Sequence, residues 1–377
     1  MDPTSLVGPP SPLGYPAPYG FLVAFKTLGF ALHLGPMNLW YAGTILAMLL
    51  GWRGGEHARR LSARLMNQMP IIIALGINFG ILPLLFIQVA YYRVFYPATI
   101  LMAWPWFGII VLVTLAYYGV YFYVVGLRND RLTPLRRSGG WIAAVSFIIT
   151  GFLFSNGFSL MTNLGGWHTL WEKTSVAGAP LGTALNTADP SLWPRWLMIF
   201  GLALTTTAAY SIVDAGLFAG RESEAYRRWV PGFALKLYTI GIIWFAIAGS
   251  WYVFGTWRED VRQAMFEGPF RILTAFTALS PGIVWLAIRA QRRGATRRLA
   301  LFTGLSQFGV LALNAVSRQI VQNAELSAFL DVTAEPVHTQ WSPLILFLVL
   351  LTLGVGVLSW MVRKAVAAER SVRTPAP

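Results

Sequence analysis

The chain has 377 residues, 56% of them hydrophobic and 12% charged, with a net charge of +14 and a mean hydropathy of +0.57, far more apolar than a soluble core of this size requires. It contains no cysteine, which excludes disulfides, thiolate zinc, iron–sulfur clusters and c-type haem attachment within the chain. The basic excess does not describe a nucleic-acid-binding face, because the arginines fall between long apolar runs.

Residues 1–19, with Pro9, Pro10, Pro12, Pro16 and Pro18, read as an irregular external tail that lacks the basic start of a cleavable signal peptide. Nine apolar runs follow, at about 20–52, 70–95, 97–127, 140–163, 193–219, 231–256, 270–290, 299–322 and 342–362, each long enough to cross roughly 30 Å of hydrocarbon. Unpaired backbone groups are too costly in lipid, so each run must be helical, and none shows the alternation of a membrane barrel strand. The expected fold is therefore an all-α integral membrane protein with about nine transmembrane helices. Residues 20–364 form one transmembrane domain and 365–377 a cytoplasmic tail.

Arginine fixes the expected orientation. Arg53, Arg59, Arg60 and Arg64 lie in the first connection, Arg128, Arg131, Arg136 and Arg137 in the third, and Arg221, Arg227 and Arg228 in the fifth. The seventh holds Arg289, Arg292, Arg293, Arg297 and Arg298, and the tail Arg363, Lys364, Arg370 and Arg373. By the positive-inside rule these face the cytoplasm of a bacterial inner membrane, with the N-terminus outside. The Trp-rich stretch 164–193 and the acidic one with Glu325, Asp331 and Glu335 then face outward, where partners dock. There is no Walker loop and no dinucleotide glycine fingerprint.

Polar side chains at bilayer depth are expensive, and each is a functional candidate until a partner explains it. They are Lys26, His33, Asn38, Asn78, Gln88, Asn156, Asp214, Lys236, Gln307, Asn314 and Arg318. Asp214 and Lys236 read as a mutual ion pair or as snorkelling ends. His33 is the one histidine inside a span, since His57, His168 and His338 fall in loops. A bis-histidine haem in the membrane therefore has no support, and a bond from His33 to a neighbouring helix is the simpler account. Lys26, two turns earlier, is either a buried amine or reaches the outer interface. Gly76, Gly80, Gly354 and Gly356 are expected to admit close helix contact.

Several short strings, in order and on the right spans, make the chain resemble subunit I of the cytochrome bd quinol oxidases. The first span carries Lys26 and then Thr27-Leu28-Gly29-Phe30-Ala31-Leu32-His33-Leu34-Gly35, and the second Gly76-Ile77-Asn78-Phe79. The fifth connection reads Gly220-Arg221-Glu222, the seventh span opens Phe270-Arg271-Ile272-Leu273, and the eighth ends near Ser317-Arg318-Gln319-Ile320, similar to the family's Gly-Arg-Gln-Pro-Trp. The resemblance runs nearly end to end, and nine spans with an outside N-terminus agree with it.

The resemblance implies haem ligands at positions that this chain fills otherwise. In that frame Lys26 replaces the first-span histidine, Trp196 the fifth-span histidine, Leu273 the seventh-span methionine and Ala315 the eighth-span glutamate. The third span has no acid between Pro97 and Leu127, and the external quinol loop shrinks to about Thr256–Gly268. The expectation is a relative without haem b: a membrane subunit of a respiratory electron-transfer complex that anchors a periplasmic redox partner, such as a multihaem cytochrome c, and contacts quinone. It is not expected to be catalytic alone. Lys26, His33, Arg271, Arg318 and Gln319 are the candidate contacts of a quinone or of a residual haem. Two alternatives stay open: a haem-containing quinol-oxidising subunit with a rebuilt site, and a secondary transporter using Lys26, His33 and Asn78 in a cavity.

Overall fold

The computed structural model describes residues 3–373. Among them nine helices are long and apolar enough to cross a membrane, spanning Tyr19–Arg53, Glu56–Ala90, Ala103–Arg128, Pro134–Thr162, Leu192–Phe218, Glu224–Thr256, Arg271–Ala290, Arg297–Leu326 and Trp341–Met361. The side-chain distribution is that of a body solvated by lipid. Asn38, Thr207, Gln307 and Asp214 are buried while Ile110, Ile247 and Leu279 are exposed, the reverse of a soluble protein. The protein is thus a multi-pass membrane protein in contact with the bilayer.

The first span is built of α1 (Tyr19–Asn38), a π-helical turn over Leu39–Gly43 and α2 (Thr44–Arg53). The wider turn follows Pro36, which removes a backbone donor, and it stacks Trp40 on Phe147 with ring centroids 5.4 Å apart. α3 (Glu56–Ala90) starts fourteen residues before the apolar window expected at 70–95. Its lead is amphipathic: Leu61, Leu65, Met66 and Met69 are buried while Arg59 and Arg60 are exposed. His57, expected in a loop, lies on this lead beside Tyr226 and Trp229.

The run expected at 97–127 divides into α4 (Tyr92–Leu101) and α5 (Ala103–Arg128). Pro105 is the reason, because its ring would collide with the carbonyl four residues back, at Leu101. α6 (Pro134–Thr162) follows with Pro134 at its first position and Thr133 as N-cap. The Trp-rich connection holds α7 (Trp167–Thr174) and a small hairpin of β1 (Ser175–Val176) and β2 (Ala179–Pro180), turning on Ala177 and Gly178 at positive φ. Trp167 is fully buried with its indole donating to Leu160 O, so it anchors the loop and is not presented to a partner.

α8 (Leu192–Val213) runs into a second π turn, Asp214–Phe218, closed by Ala219 N donating to Asp214 O at 2.9 Å. α9 (Glu224–Thr256) and α10 (Glu259–Phe266) follow, the latter filling the short connection that was expected to be a reduced loop. Arg258, gripped by Asp260, donates to the carbonyls of Ala324 and Glu325 and so caps the end of α12 (Arg297–Leu326). α11 (Arg271–Ala290) precedes α12.

The chain divides into two compact units. Residues 3–9 and 23–332 make the first. The second comprises residues 10–22 and 333–373, in which His338 N and Gln340 N donate to Tyr15 O and Pro16 O. α13 (Trp341–Arg373) belongs to this second unit, and its apolar side chains, such as Leu346, Leu353 and Leu358, are exposed as a lipid-facing helix requires. Gly354 and Gly356, expected at a helix contact, meet nothing within 4 Å.

Asp214 does not pair with Lys236, which is exposed. It accepts from Arg64 at 2.6 and 2.8 Å and from Gln68 at 2.9 Å, and Arg64 and Arg60 both reach Glu222. Asp214 is only 1% exposed, so Asp214→Ala leaves two of the Arg64 nitrogens and the Gln68 amide without their acceptor, with Glu222 as the remaining partner, and costs about 2–3 kcal/mol, read as a lowered thermal midpoint in detergent. The hydrogen bond from Arg60, joined by Arg64, holds the Glu222 carboxyl below the usual carboxylate range. A group with a depressed folded pKa adds stability that is present above the unfolded value, about 4.3, and is lost as pH falls through the folded one. Acid titration of thermal stability therefore shows a loss below that value, and Glu222→Gln flattens it. At Gly80 an added Cβ would lie 2.8 Å from the His33 ring, so Gly80→Ala is expected to destabilise by about 1–3 kcal/mol by overpacking, measured by the same melt.

Candidate functional site

Most of the in-span polar groups satisfy one another or their own helix. Asn38 donates to Thr206, Gln307 links Tyr238 to Thr205 and Thr206, Asn156 accepts from the Asn186 backbone, and Asn78, Gln88 and Asn314 donate to carbonyls one turn back. These are structural.

Lys26 is different. It is 8% exposed and its amine donates to Gln319 Oε1 at 2.5 Å and Gln322 Oε1 at 2.8 Å, lying 4.5 Å from the centre of the Tyr91 ring. Gln319 Nε2 donates to Tyr91 Oη at 2.5 Å, and Tyr91 Oη to Asn323 Oδ1 at 2.5 Å. The amine is thus enclosed by amide oxygens and a ring face, and makes no ion pair among the described residues. Of the two placements open from sequence, the structure shows the buried one.

His33 bonds through Nδ1 to the carbonyl of Gly76 on α3 at 2.8 Å, the neighbouring-helix bond expected of it. Arg318 makes no ion pair among the described residues. Its guanidinium lies 4.8 and 4.9 Å from the ring centres of Phe30 and Phe158, and Glu325 is taken by Arg195. Arg271 is exposed at the start of α11, apart from the others.

Two cavities meet at this arginine. The smaller, about 410 Å³, is lined by Lys26, His33, Tyr41, Thr150, Arg318 and Gln319 among apolar side chains. The larger, about 470 Å³, is lined by Arg195, Tyr252, Trp257, Arg318, Gln322 and Glu325 at its polar part and by residues such as Leu34, Ile242, Phe245 and Pro281 elsewhere. Phe30, Ser155, Phe158, Ile199, Arg318 and Gln322 wall both. Several buried atoms in these walls have no hydrogen-bond partner among the described residues: Thr27 Oγ1 and Thr150 Oγ1 in the smaller, Arg195 Nε and Glu325 Oε2 in the larger, and Gln322 Nε2 in both. Orphaned polar atoms in an otherwise apolar wall are the mark of a site shaped for an amphiphilic ligand.

A haem would find one imidazole in these walls, His33, with Met37 the sole sulfur ligand beside the smaller cavity and Met198 and Met265 beside the larger. The single wall carboxylate, Glu325, is already ion-paired. No cluster of three or more His, Cys, Asp or Glu occurs among the described residues, and Lys26 is fully engaged. That donor set does not provide the ligands that an oxygen-reducing bundle of the resembled family would require.

Of the five residues singled out from sequence, four line the smaller cavity and Arg271 does not. Sequence reasoning missed Gln322, Arg195, Glu325, Tyr41 and Thr150. The signal for Gln322 and Glu325 was present in their spacing of four and seven residues from Arg318 on one helix. Tyr41 and Thr150 are single polar groups in apolar runs and gave none.

No protein-family model matches the chain, and neither does any curated protein. Among solved structures, a chain in the structure of bd oxidase from Geobacillus thermodenitrificans superimposes with a TM-score of 0.66 at 12% identity, covering 96% of this chain and 100% of that one. At that identity the likeness establishes the fold: a helical membrane bundle of the kind seen in that oxidase, as the ordered strings of the sequence implied.

Proposed function

We propose that the chain is a multi-pass subunit of a respiratory electron-transfer complex in the bacterial inner membrane, its N-terminus outside. It binds a quinone or quinol in the paired cavities and hands electrons to a partner subunit, such as a periplasmic multihaem cytochrome c, without a haem of its own. The carrying observation is the Arg318 wall, where two apolar cavities share a guanidinium seated against two rings and an amide with an unused donor. That combination suits a molecule with an apolar tail and an oxygen-bearing head. The bd-like fold supports placing this molecule in quinone-linked respiration, and the poor set of iron ligands supports the absence of oxygen chemistry.

One observation favours a second reading, a haem rebuilt on His33: the bond from Nδ1 to a backbone carbonyl leaves Nε2 for a metal. Purification in mild detergent with visible spectroscopy and solvent extraction separates the two. The expected outcome is no Soret band and near-stoichiometric quinone. Arg318→Leu removes a charged hydrogen-bond donor and is expected to weaken quinone retention roughly ten- to a hundredfold. A Soret band lost in His33→Ala would establish the second reading, and a preparation with neither pigment nor quinone would refute both.

A further inference from the structure

Arg318, Gln322 and Glu325 stand at i, i+4 and i+7 of α12, along one face of the helix, and all three wall the larger cavity. Each presents one hydrogen-bonding function to that wall, and the chemistry of each is fixed by its other contacts. The Arg318 guanidinium, held between the rings of Phe30 and Phe158, is purely a donor. Gln322 has its Oε1 on the Lys26 amine at 2.8 Å. The amine donates to that oxygen, and Nε2 is left as the unused donor. Glu325 receives Arg195 and the Tyr252 hydroxyl on Oε1, while Oε2 is buried with nothing donating to it. The stripe therefore reads donor, donor, acceptor. Glu325 is also the one carboxylate among the described residues that line either cavity.

We infer, on the basis of the quinone reading above, that this stripe selects the hydroquinone over the quinone, with Glu325 Oε2 accepting a head-group O–H and Arg318 donating to the oxygen at the other end. A quinone offers two carbonyl acceptors. It satisfies Arg318 and Gln322 but sets an oxygen lone pair against a buried carboxylate oxygen, leaving that oxygen unpaired at the cost of its desolvation. A hydroquinone carries the missing O–H and answers both ends. Glu325 is thus the residue that distinguishes the two redox forms, and the pair it makes with Arg195, backed by Tyr252, holds its other oxygen away from the ligand.

The test is anaerobic equilibrium binding of a short-chain benzoquinol and of the matching benzoquinone to the purified full-length chain. Wild type is expected to bind the quinol about tenfold or more tightly, the worth of one charge-assisted hydrogen bond. Glu325→Gln, which can present an amide donor in place of the acceptor, is expected to bring the two affinities together or to favour the quinone. Lys236→Gln, at an exposed position that lines neither cavity, is expected to retain the preference. Equal affinities, or tighter quinone, in wild type overturn this inference and leave the quinone reading standing, even if the Glu325 variant fails to fold. Binding of neither form overturns the quinone reading itself.

Discussion

The interior is organised by the absence of water. Inside hydrocarbon a donor or acceptor finds its partner within the bundle or goes without, and the second outcome is costly. The Lys26 amine shows how far this constraint reaches. Enclosing it takes two glutamines one turn apart on α12 and a tyrosine ring after α3, so three elements are placed by one side chain. The same contact turns the Gln322 amide, which in turn decides what the adjoining cavity wall offers a ligand.

Most polar groups meet the constraint locally. Threonines of α8 bond their own preceding turns, and Gln307 gathers Tyr238 and two of those threonines into a satisfied knot. Among the described residues the exceptions include a group on the two cavity walls, with Thr150, Arg195, Gln322 and Glu325, and others elsewhere, such as Asn38, Thr44 and Tyr226. What sets the cavity group apart is that its orphaned atoms lie beside open volume, where a ligand rather than a neighbouring helix can answer them.

The fold was legible because hydrophobicity, helix length and arginine placement all answer to the thickness and charge of a bilayer, which the sequence must match span by span. The details that failed share a cause. The long lead of α3 is amphipathic, so a window scan for apolar runs starts late. The break before α5 arises from a single Pro105, and the two π turns leave no mark on hydrophobic content. Site residues were legible where a charged or amide side chain interrupts an apolar run, as with Lys26, Arg318 and Gln319. Partnerships were not, because pairing Asp214 with Arg64 or Glu325 with Arg195 depends on which helices lie side by side, 150 and 130 residues apart in sequence. Arg271 shows the converse: a resemblance in a short string placed it with the others, and its exposed position on α11 separates it from them.

The π turn at Asp214 carries a further consequence. It holds one residue more than an α-helical turn closing the same contact, so everything after it is rotated by about a hundred degrees relative to an unbroken α8. Loss of that residue would restore the regular winding and swing the chain leading to Glu222 around the helix axis, away from Arg60 and Arg64. Length in this segment is therefore as tightly held as side-chain identity, and an alignment that places a single-residue gap between Val213 and Ala219 would describe a protein with a different arginine-rich face.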